Sequence, residues 1–209
     1  MTAATLLRMM ETMNETDRAR YFPQGLDTKL SDFYNFIEQR YPEPHRNYVR
    51  NTMRSENPEI SLRNLLNHTS GIPDINWNLA DPNDMRELYS EEKVADGKFL
   101  ELDYTINSRR LPNERRVAVG TYFYSDPGYE LLGMIISAVA THQNGRVVPC
   151  QEVMREMVIR RLELGNTFTS DQISFDRDLG RVVVTGSPEK KIARGCVYYN
   201  NDLIESLVS

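Results

Sequence analysis

Apolar residues recur at helical spacing along most of this chain, whereas alternating apolar and polar residues are rare. Apolar residues that are three and four positions apart lie on one face of a helix, and the fold then buries that face. Because the first such segment begins within ten residues of Met1, we expect the chain to begin inside or just before a helix. At least five helices are predicted, with apolar faces in residues 6–13, 30–37, 62–66, 131–139 and 153–162.

Local signals set the expected limits of these helices. Ser61 is a good N-cap for the third helix, since its hydroxyl can accept a backbone N–H. Asp126 fits the N-cap of the fourth helix, and Pro127 suits a first helical position. Turns or helix ends are expected at residues 22–25, 41–44, 71–73 and 165, where glycine or proline interrupts the apolar repeat.

Strand patterns are few. Residues 181–184 (RVVV) form the clearest strand, followed by a turn at Thr185 and Gly186, and residues 196–199 are a second candidate. Residues 74–120 have a mixed pattern, for which we expect loops and a short helix. The chain is therefore predicted to be mainly α, with one or two strands.

Composition narrows the class of protein. The 209 residues carry a net charge of -5, with a sequence pI near 5.3, so the chain lacks the basic surface that binds a nucleic-acid backbone. The longest apolar segment, residues 131–140, is too short to cross a bilayer. This size is that of one domain, or of a large and a small lobe. We predict a single domain over residues 1–209.

Export and redox state stay open. The first residues show no basic region followed by a long apolar run, so no signal peptide is predicted in this chain. Cys150 and Cys196 lie 46 positions apart, and neither has the spacing of a zinc site. We expect two independent thiols, while a disulfide stays open for an oxidising compartment. The sequence therefore leaves the localisation unknown.

Two segments carry a family resemblance. Residues 60–74 read ISLRNLLNHTSGIPD, and residues 124–133 read YSDPGYELLG. They resemble the serine beta-lactamase and penicillin-binding-protein family, in its class C beta-lactamase and D-Ala-D-Ala carboxypeptidase-like branch. The first is similar to that family's leucine-rich helix followed by His-Thr-Ser-Gly. The second is similar to its Tyr-x-Asn motif and the helix after it.

The resemblance extends over most of the chain. Residues 1–10 are similar to the helix that follows the family's nucleophile motif Ser-x-x-Lys, and residues 162–169 and 193–196 are similar to later family segments. We expect the nucleophile motif just before Met1, and the Lys-Thr-Gly motif beyond Ser209. The implied fold is the helical lobe of the α/β beta-lactamase/transpeptidase-like fold, with most of the sheet-forming ends missing.

The resemblance implies acyl-enzyme chemistry on an amide, peptide or ester carbonyl. In the family, a serine attacks the carbonyl, the lysine of the same motif activates that serine, and the motif tyrosine carries the proton to the leaving group. Tyr124 is the corresponding tyrosine here, and Asp126 lines the cleft. Only about one phenol in a thousand is ionised at pH 7 without a nearby cation. Without both lysine motifs, Tyr124 is expected to be inactive.

This assignment has a structural alternative. Tyr124 alone could be an ordinary aromatic residue at a strand end, and helix capping alone would explain Asp126. The family usually has asparagine at the position of Asp126. The aspartate adds a negative charge toward the substrate position, which puts the binding of a substrate carboxylate or amide in doubt.

Other motifs are expected to be structural or coincidental. Ser70 with His68 as its base is a weak nucleophile candidate, because residues two apart in a tight turn rarely pair in this way. Residues 187–190 spell Ser-x-x-Lys, but glycine and proline predict a turn there. Residues 184–186 are assigned to the end of a strand, and the cluster of Arg109, Arg110, Arg115 and Arg116 is assigned to solvated loop charges. The histidines His45, His68 and His142 are unrelated, because they lack the spacing of a metal site.

Three functional hypotheses follow. The chain is a fragment of a serine hydrolase, a catalytically dead relative that serves as a binding or scaffold module, or an unrelated helical protein. An active form would take a small-molecule or peptide substrate, with no cofactor, metal, nucleic acid or membrane span. The helix near Met1 is expected to leave an apolar face uncovered, so we predict marginal stability or self-association through that face.

Overall fold

The computed structural model describes residues 1–40, 59–72, 117–176, 181–185, 187–191, 195–199 and 202–206. The chain divides into two compact units, one of Met1–Asn76 with Thr105–Gly165 and one of Trp77–Tyr104 with Asn166–Ser209. The single domain over residues 1–209 stays a prediction. Residues 41–44, Pro73, His45 and the arginines at 109–116 lie outside the described residues, as does most of the segment 74–120.

The first unit is helical in its described residues. All five predicted apolar segments contain helix, which confirms the helical pattern. The described α-helices are α1 (Thr2–Thr12), α2 (Glu15–Tyr21), α3 (Tyr34–Arg40), α4 (Leu62–Leu66), α5 (Asp126–Asn144) and α6 (Cys150–Met154), with 3-10 turns at Gly25–Asp27 and Leu30–Phe33 and a π-helical turn at Arg155–Ile159.

The helix limits differ from the predictions in particular places. The sequence ETDRARY of α2 has one buried residue, Tyr21, so its apolar repeat gives no signal. Its start is set instead by Asn14, whose Oδ1 accepts the Asp17 N–H at 2.8 Å. The segment expected to be one helix from residue 153 to residue 162 changes to π-helical geometry at Arg155 and continues as turns after Ile159.

Helix α5 is the centre of the first unit. It contacts α1, α3, α4 and α6, and its inward positions have at most 1% exposed surface: Leu131, Leu132, Ile135, Ile136 and Val139. Burying each such side chain stabilises the fold by about 1.5–3 kcal/mol. The first turn of this helix carries the site described below, so the site rests on the most buried element of the unit.

An aromatic and polar cluster joins α2 to α5. The Tyr21 hydroxyl lies 2.7 Å from Nδ1 of His142, and the Phe36 and His142 rings meet edge to face with centroids 5.0 Å apart. Burial raises the pKa of Tyr21 above its ordinary value. The cluster fixes the N-terminal helices against the far end of α5.

The described residues of the second unit form two antiparallel sheets. Strands β1 (Ile173–Asp176), β2 (Arg181–Val184) and β3 (Ser187–Lys191) pair in that order, and β4 (Gly195–Tyr199) pairs with β5 (Asp202–Ser206). The predicted strands at 181–184 and 196–199 are confirmed. The expected count of one or two strands is wrong, because strands such as β3 (SPEKK) lack apolar alternation. Helix still dominates the described residues, consistent with a mainly α fold.

Candidate functional site

The first of the two segments singled out in the sequence contains a well-capped helix, α4. Ser61 caps α4 as predicted: its Oγ accepts the Asn64 N–H at 3.3 Å, while Oδ1 of Asn64 accepts the Ser61 N–H at 3.0 Å. This reciprocal capping satisfies donors that the first helical turn leaves open. Leu62 and Leu65 are buried on its inner face, so the loop after α4 starts from a fixed point.

That loop turns sharply through two residues of positive φ. His68 has φ of +57° and Gly71 has φ of +74°. A Cβ at position 71 would lie 2.3 Å from the carbonyl oxygen of Val117. Only glycine therefore allows the His-Thr-Ser-Gly turn to approach the backbone at Val117, ahead of the second segment, this closely.

Hydrogen bonds join the turn to the residues that lead directly into the second segment. The Gly120 N–H donates to the carbonyl of Thr69 at 2.8 Å, and the Phe123 N–H donates to the carbonyl of His68 at 2.8 Å. These bonds bring together residues more than fifty positions apart in the sequence. The two motifs recognised separately in the sequence thus form one structure.

The His68 ring lies among tyrosines from the second segment. Its Nδ1 accepts the Ser125 N–H at 3.2 Å, and because a backbone N–H can only donate, the ring proton of a neutral His68 sits on Nε2. The ring centroid is 4.6 Å from that of Tyr124 and 5.0 Å from that of Tyr129, with interplanar angles of 34° and 24°. Tyr122 meets the same imidazole edge-on at 6.2 Å.

Tyr124 and Asp126 are in direct contact. The Tyr124 side chain is 51% exposed, and its hydroxyl donates to Oδ1 of Asp126 at 2.6 Å. Asp126 is the first residue of α5, where a carboxylate is favoured by the helix dipole. An accessible phenol whose hydroxyl donates a hydrogen bond to a carboxylate forms a pair able to take part in proton transfer.

One prediction at this position is wrong. The N-cap of α5 is Ser125, whose Oγ accepts the Gly128 N–H at 3.2 Å, and not Asp126. Pro127 is accordingly the second helical residue. Capping therefore no longer explains Asp126, whose carboxylate instead accepts the Tyr124 hydroxyl.

The minor nucleophile candidate, Ser70, has a structural role. Its side chain is 1% exposed, and its Oγ accepts the Ile72 N–H at 3.3 Å. Nδ1 of His68, the suggested base, accepts the Ser125 N–H instead. Ser70 therefore supports the turn from inside the fold.

The literal Ser-x-x-Lys pattern occurs at two places in the chain. Residues 187–190 lie in strand β3, where the sequence had predicted a turn. Residues 90–93, which sequence reasoning missed, also spell the pattern and lie outside the described residues. Both follow the His-Thr-Ser-Gly turn in the chain, whereas the resembled family places its nucleophile before that turn.

Cys150 has a free thiol. Its sulfur lies beside α5, 3.7 Å from the position that a Cβ on Gly133 would take. Burial raises its pKa to about 12, so the nucleophilic thiolate is scarce at neutral pH. Within the described residues, no group of histidine, cysteine or carboxylate side chains could hold a metal ion. The helices of the same part of the chain are all too short or too polar to cross a membrane.

Comparison with known proteins identifies the family. The sequence matches the Beta-lactamase family over residues 2–195, so the chain belongs to that family. It is thereby related to the serine hydrolases of the beta-lactamase and penicillin-binding-protein superfamily. No curated protein matches.

Two solved structures are similar to this chain, and the first of them shows the same fold. A D-stereospecific amidohydrolase from Streptomyces sp. is similar with a TM-score of 0.52 and 18% identity, over 99% of this chain and 49% of its own. An octameric penicillin-binding protein homologue from Pyrococcus abyssi has a TM-score of 0.49 and 19% identity, over 98% of this chain and 37% of its own. The chain thus spans half or less of the length of these proteins.

Proposed function

We propose that this chain is part of a serine hydrolase of the class C beta-lactamase and D-Ala-D-Ala carboxypeptidase-like branch. Its substrate is an amide, peptide or ester that forms an acyl-enzyme. Tyr124 carries the proton between the serine nucleophile and the leaving group, and Asp126 lines the cleft beside it. The observation that carries the proposal is the contact between Tyr124 and the turn of His68, which unites both family motifs in one site.

The proposed chemistry depends on a cation close to the phenol of Tyr124. A phenol transfers a proton efficiently when a nearby cation favours its anion. Here the hydroxyl of Tyr124 donates to the carboxylate of Asp126, which favours the protonated phenol. We therefore propose that Tyr124 transfers a proton only when a lysine of the family's other motifs lies close to its hydroxyl.

The first test is the intact mass and N-terminal peptide map of the protein as its own organism makes it. A product larger than 24.2 kDa with Ser-x-x-Lys ahead of Met1 is then treated with a fluorescent penicillin and a p-nitrophenyl ester. We expect covalent labelling of that serine. A larger product with the motif that neither probe labels would contradict the hydrolase.

The role of Tyr124 is tested in the same larger product, before it is treated with the probes. Tyr124→Phe removes the proton carrier and keeps the ring, so we expect acylation to slow by about 10²–10⁴-fold. Tyr122→Phe is the matched control, since Tyr122 is a neighbouring tyrosine with 68% exposure. Equal rates in the two variants would remove Tyr124 from the mechanism.

A catalytically dead binding or scaffold module is the second candidate. It is favoured by the bond from Tyr124 to Asp126, at a position where the resembled family usually has asparagine. A natural product of 24.2 kDa that begins at Met1 would support this candidate, because the family nucleophile would then be missing.

We also propose that the isolated chain associates with a second copy of itself. Leu7 on α1 is 47% exposed and Leu162 is 64% exposed. Both line an open groove of about 600 Å³ with Ala4, Met157 and Val158, and the charged residues Arg8, Glu11 and Arg161 also line it. Apolar side chains gathered in this way favour contact with another surface. The expected occupant is the same groove of a second chain.

A further inference from the structure

We infer that His68 is a positioning residue for Tyr124, because its ring forms the surface that sets the orientation of the phenol. The functional part of this inference rests on the proposed role of Tyr124. The geometric part, in which one imidazole holds one phenol in a fixed direction, stands without it.

The imidazole is itself held on several sides. The backbone at His68 is fixed by the bond from the Phe123 N–H to its carbonyl at 2.8 Å. The ring is fixed by the Ser125 N–H on Nδ1 at 3.2 Å, and Tyr129 stacks against the ring at 5.0 Å. Tyr129 is anchored in turn, because its hydroxyl donates to the carbonyl of Leu66 at 3.0 Å.

The phenol of Tyr124 needs such a support. Its side chain is half-exposed, and an exposed tyrosine can change rotamer within nanoseconds. The His68 ring at 4.6 Å restrains one face of the phenol, while Asp126 holds its hydroxyl at 2.6 Å. Together they fix both the ring plane and the direction of the oxygen, which efficient proton transfer requires.

The positive φ of His68 allows the two contributions of this residue to be separated. Asparagine tolerates φ near +57° and keeps a side-chain acceptor, but it has no ring. Glycine tolerates the same φ and has neither acceptor nor ring. His68→Asn therefore removes the stacking alone, and His68→Gly removes both contributions.

The experiment uses NMR on the chain with labelled tyrosine, with the Tyr124 ring signal assigned by its loss in Tyr124→Phe. We expect cross-relaxation between the ring protons of His68 and Tyr124 in the unsubstituted chain. In His68→Asn the Hα–Hβ couplings of Tyr124 should move toward the averaged values of a side chain that changes rotamer, while the Ser125 amide stays protected. In His68→Gly that amide should also exchange about tenfold faster.

His142→Asn is the control, because His142 lies at the other end of α5 and should leave the Tyr124 signal unchanged. Hα–Hβ couplings of Tyr124 that are the same in His68→Asn as in the unsubstituted chain would overturn the inference. So would missing cross-relaxation between the two rings, a measurement that needs no variant to fold. Neither result depends on hydrolysis, so a failure of penicillin labelling would affect only the proposed function.

Discussion

Replacing Gly71 by alanine tests the close approach on which the whole site depends. Alanine at φ of +74° costs about 1–2 kcal/mol, as for any L-residue in the left-handed region. In addition, the new Cβ would lie 2.3 Å from the Val117 carbonyl oxygen, and relieving such a contact with backbone typically costs about 1–3 kcal/mol. We therefore expect the free energy of unfolding to fall by about 2–5 kcal/mol in Gly71→Ala, which is a large fraction of the stability of an ordinary domain.

Gly145→Ala is the matched control for this experiment. Gly145 has φ of +65°, but no atom lies within 4 Å of a Cβ built there. The control therefore shares the backbone cost, and also the lower entropy of the unfolded chain that alanine brings. The difference between the two variants isolates the contact with Val117, at about 1–3 kcal/mol.

Urea unfolding followed by circular dichroism at 222 nm measures both variants at one protein concentration. Equal midpoints and slopes for Gly71→Ala and Gly145→Ala would refute the reasoning. A local measurement covers the case in which global stability changes little. The Gly120 amide, bonded to the Thr69 carbonyl at 2.8 Å, should exchange faster in Gly71→Ala and remain unchanged in Gly145→Ala.

Three further predictions concern the helical unit. Gly133→Ala should raise the free energy of unfolding by about 0.5–1 kcal/mol, because a Cβ there makes an ordinary 3.7 Å contact with the sulfur of Cys150 inside a helix; a lower urea midpoint would contradict this. In a Cys196→Ser background, Cys150 should react with iodoacetamide at pH 8 at least a hundredfold more slowly than a free cysteine. The reason is that burial raises the pKa of Cys150 to about 12, so that very little of the reactive thiolate forms at pH 8. Full labelling within minutes would refute this prediction. Analytical ultracentrifugation should show concentration-dependent association that the pair Leu7→Lys and Leu162→Lys abolishes, whereas a monomeric unsubstituted chain with a cooperative melt at high temperature would refute self-association.

The sequence predicted most of the helical unit because burial there follows a simple period. The apolar face of residues 131–139 marks α5, and its residues are almost fully buried. Helix α2 was missed because it buries only Tyr21 and is stabilised by a cap and by charges that no apolar repeat reveals. Strand β3 was missed for a similar reason: its residues 187–191 pair with β2 through backbone bonds, which leave little trace in the side chains.

The site was predicted in part. Tyr124, Asp126 and the turn of residues 68–71 were each proposed from a motif, and their contacts with one another, which join distant segments, could not be read from the motifs. Capping was assigned to Asp126 because aspartate and serine both suit an N-cap, and only the structure shows Ser125 Oγ at the Gly128 N–H. The orientation of His68 could not be predicted, since it depends on the Ser125 N–H, 57 residues further along the chain.

The pairing of Tyr124 with Asp126 links the family membership to the question of activity. A carboxylate that accepts the phenol's hydrogen bond stabilises the protonated tyrosine, whereas a carboxamide at the same position would leave no charge beside it. The same aspartate and the same His68 surface hold the phenol in one orientation. These two contacts therefore fix both the ring plane of Tyr124 and the position of its hydroxyl oxygen. Asp126→Asn would keep a hydrogen-bond acceptor for this hydroxyl and remove the charge beside it, so this variant separates the orientation of the phenol from the electrostatics of the pair.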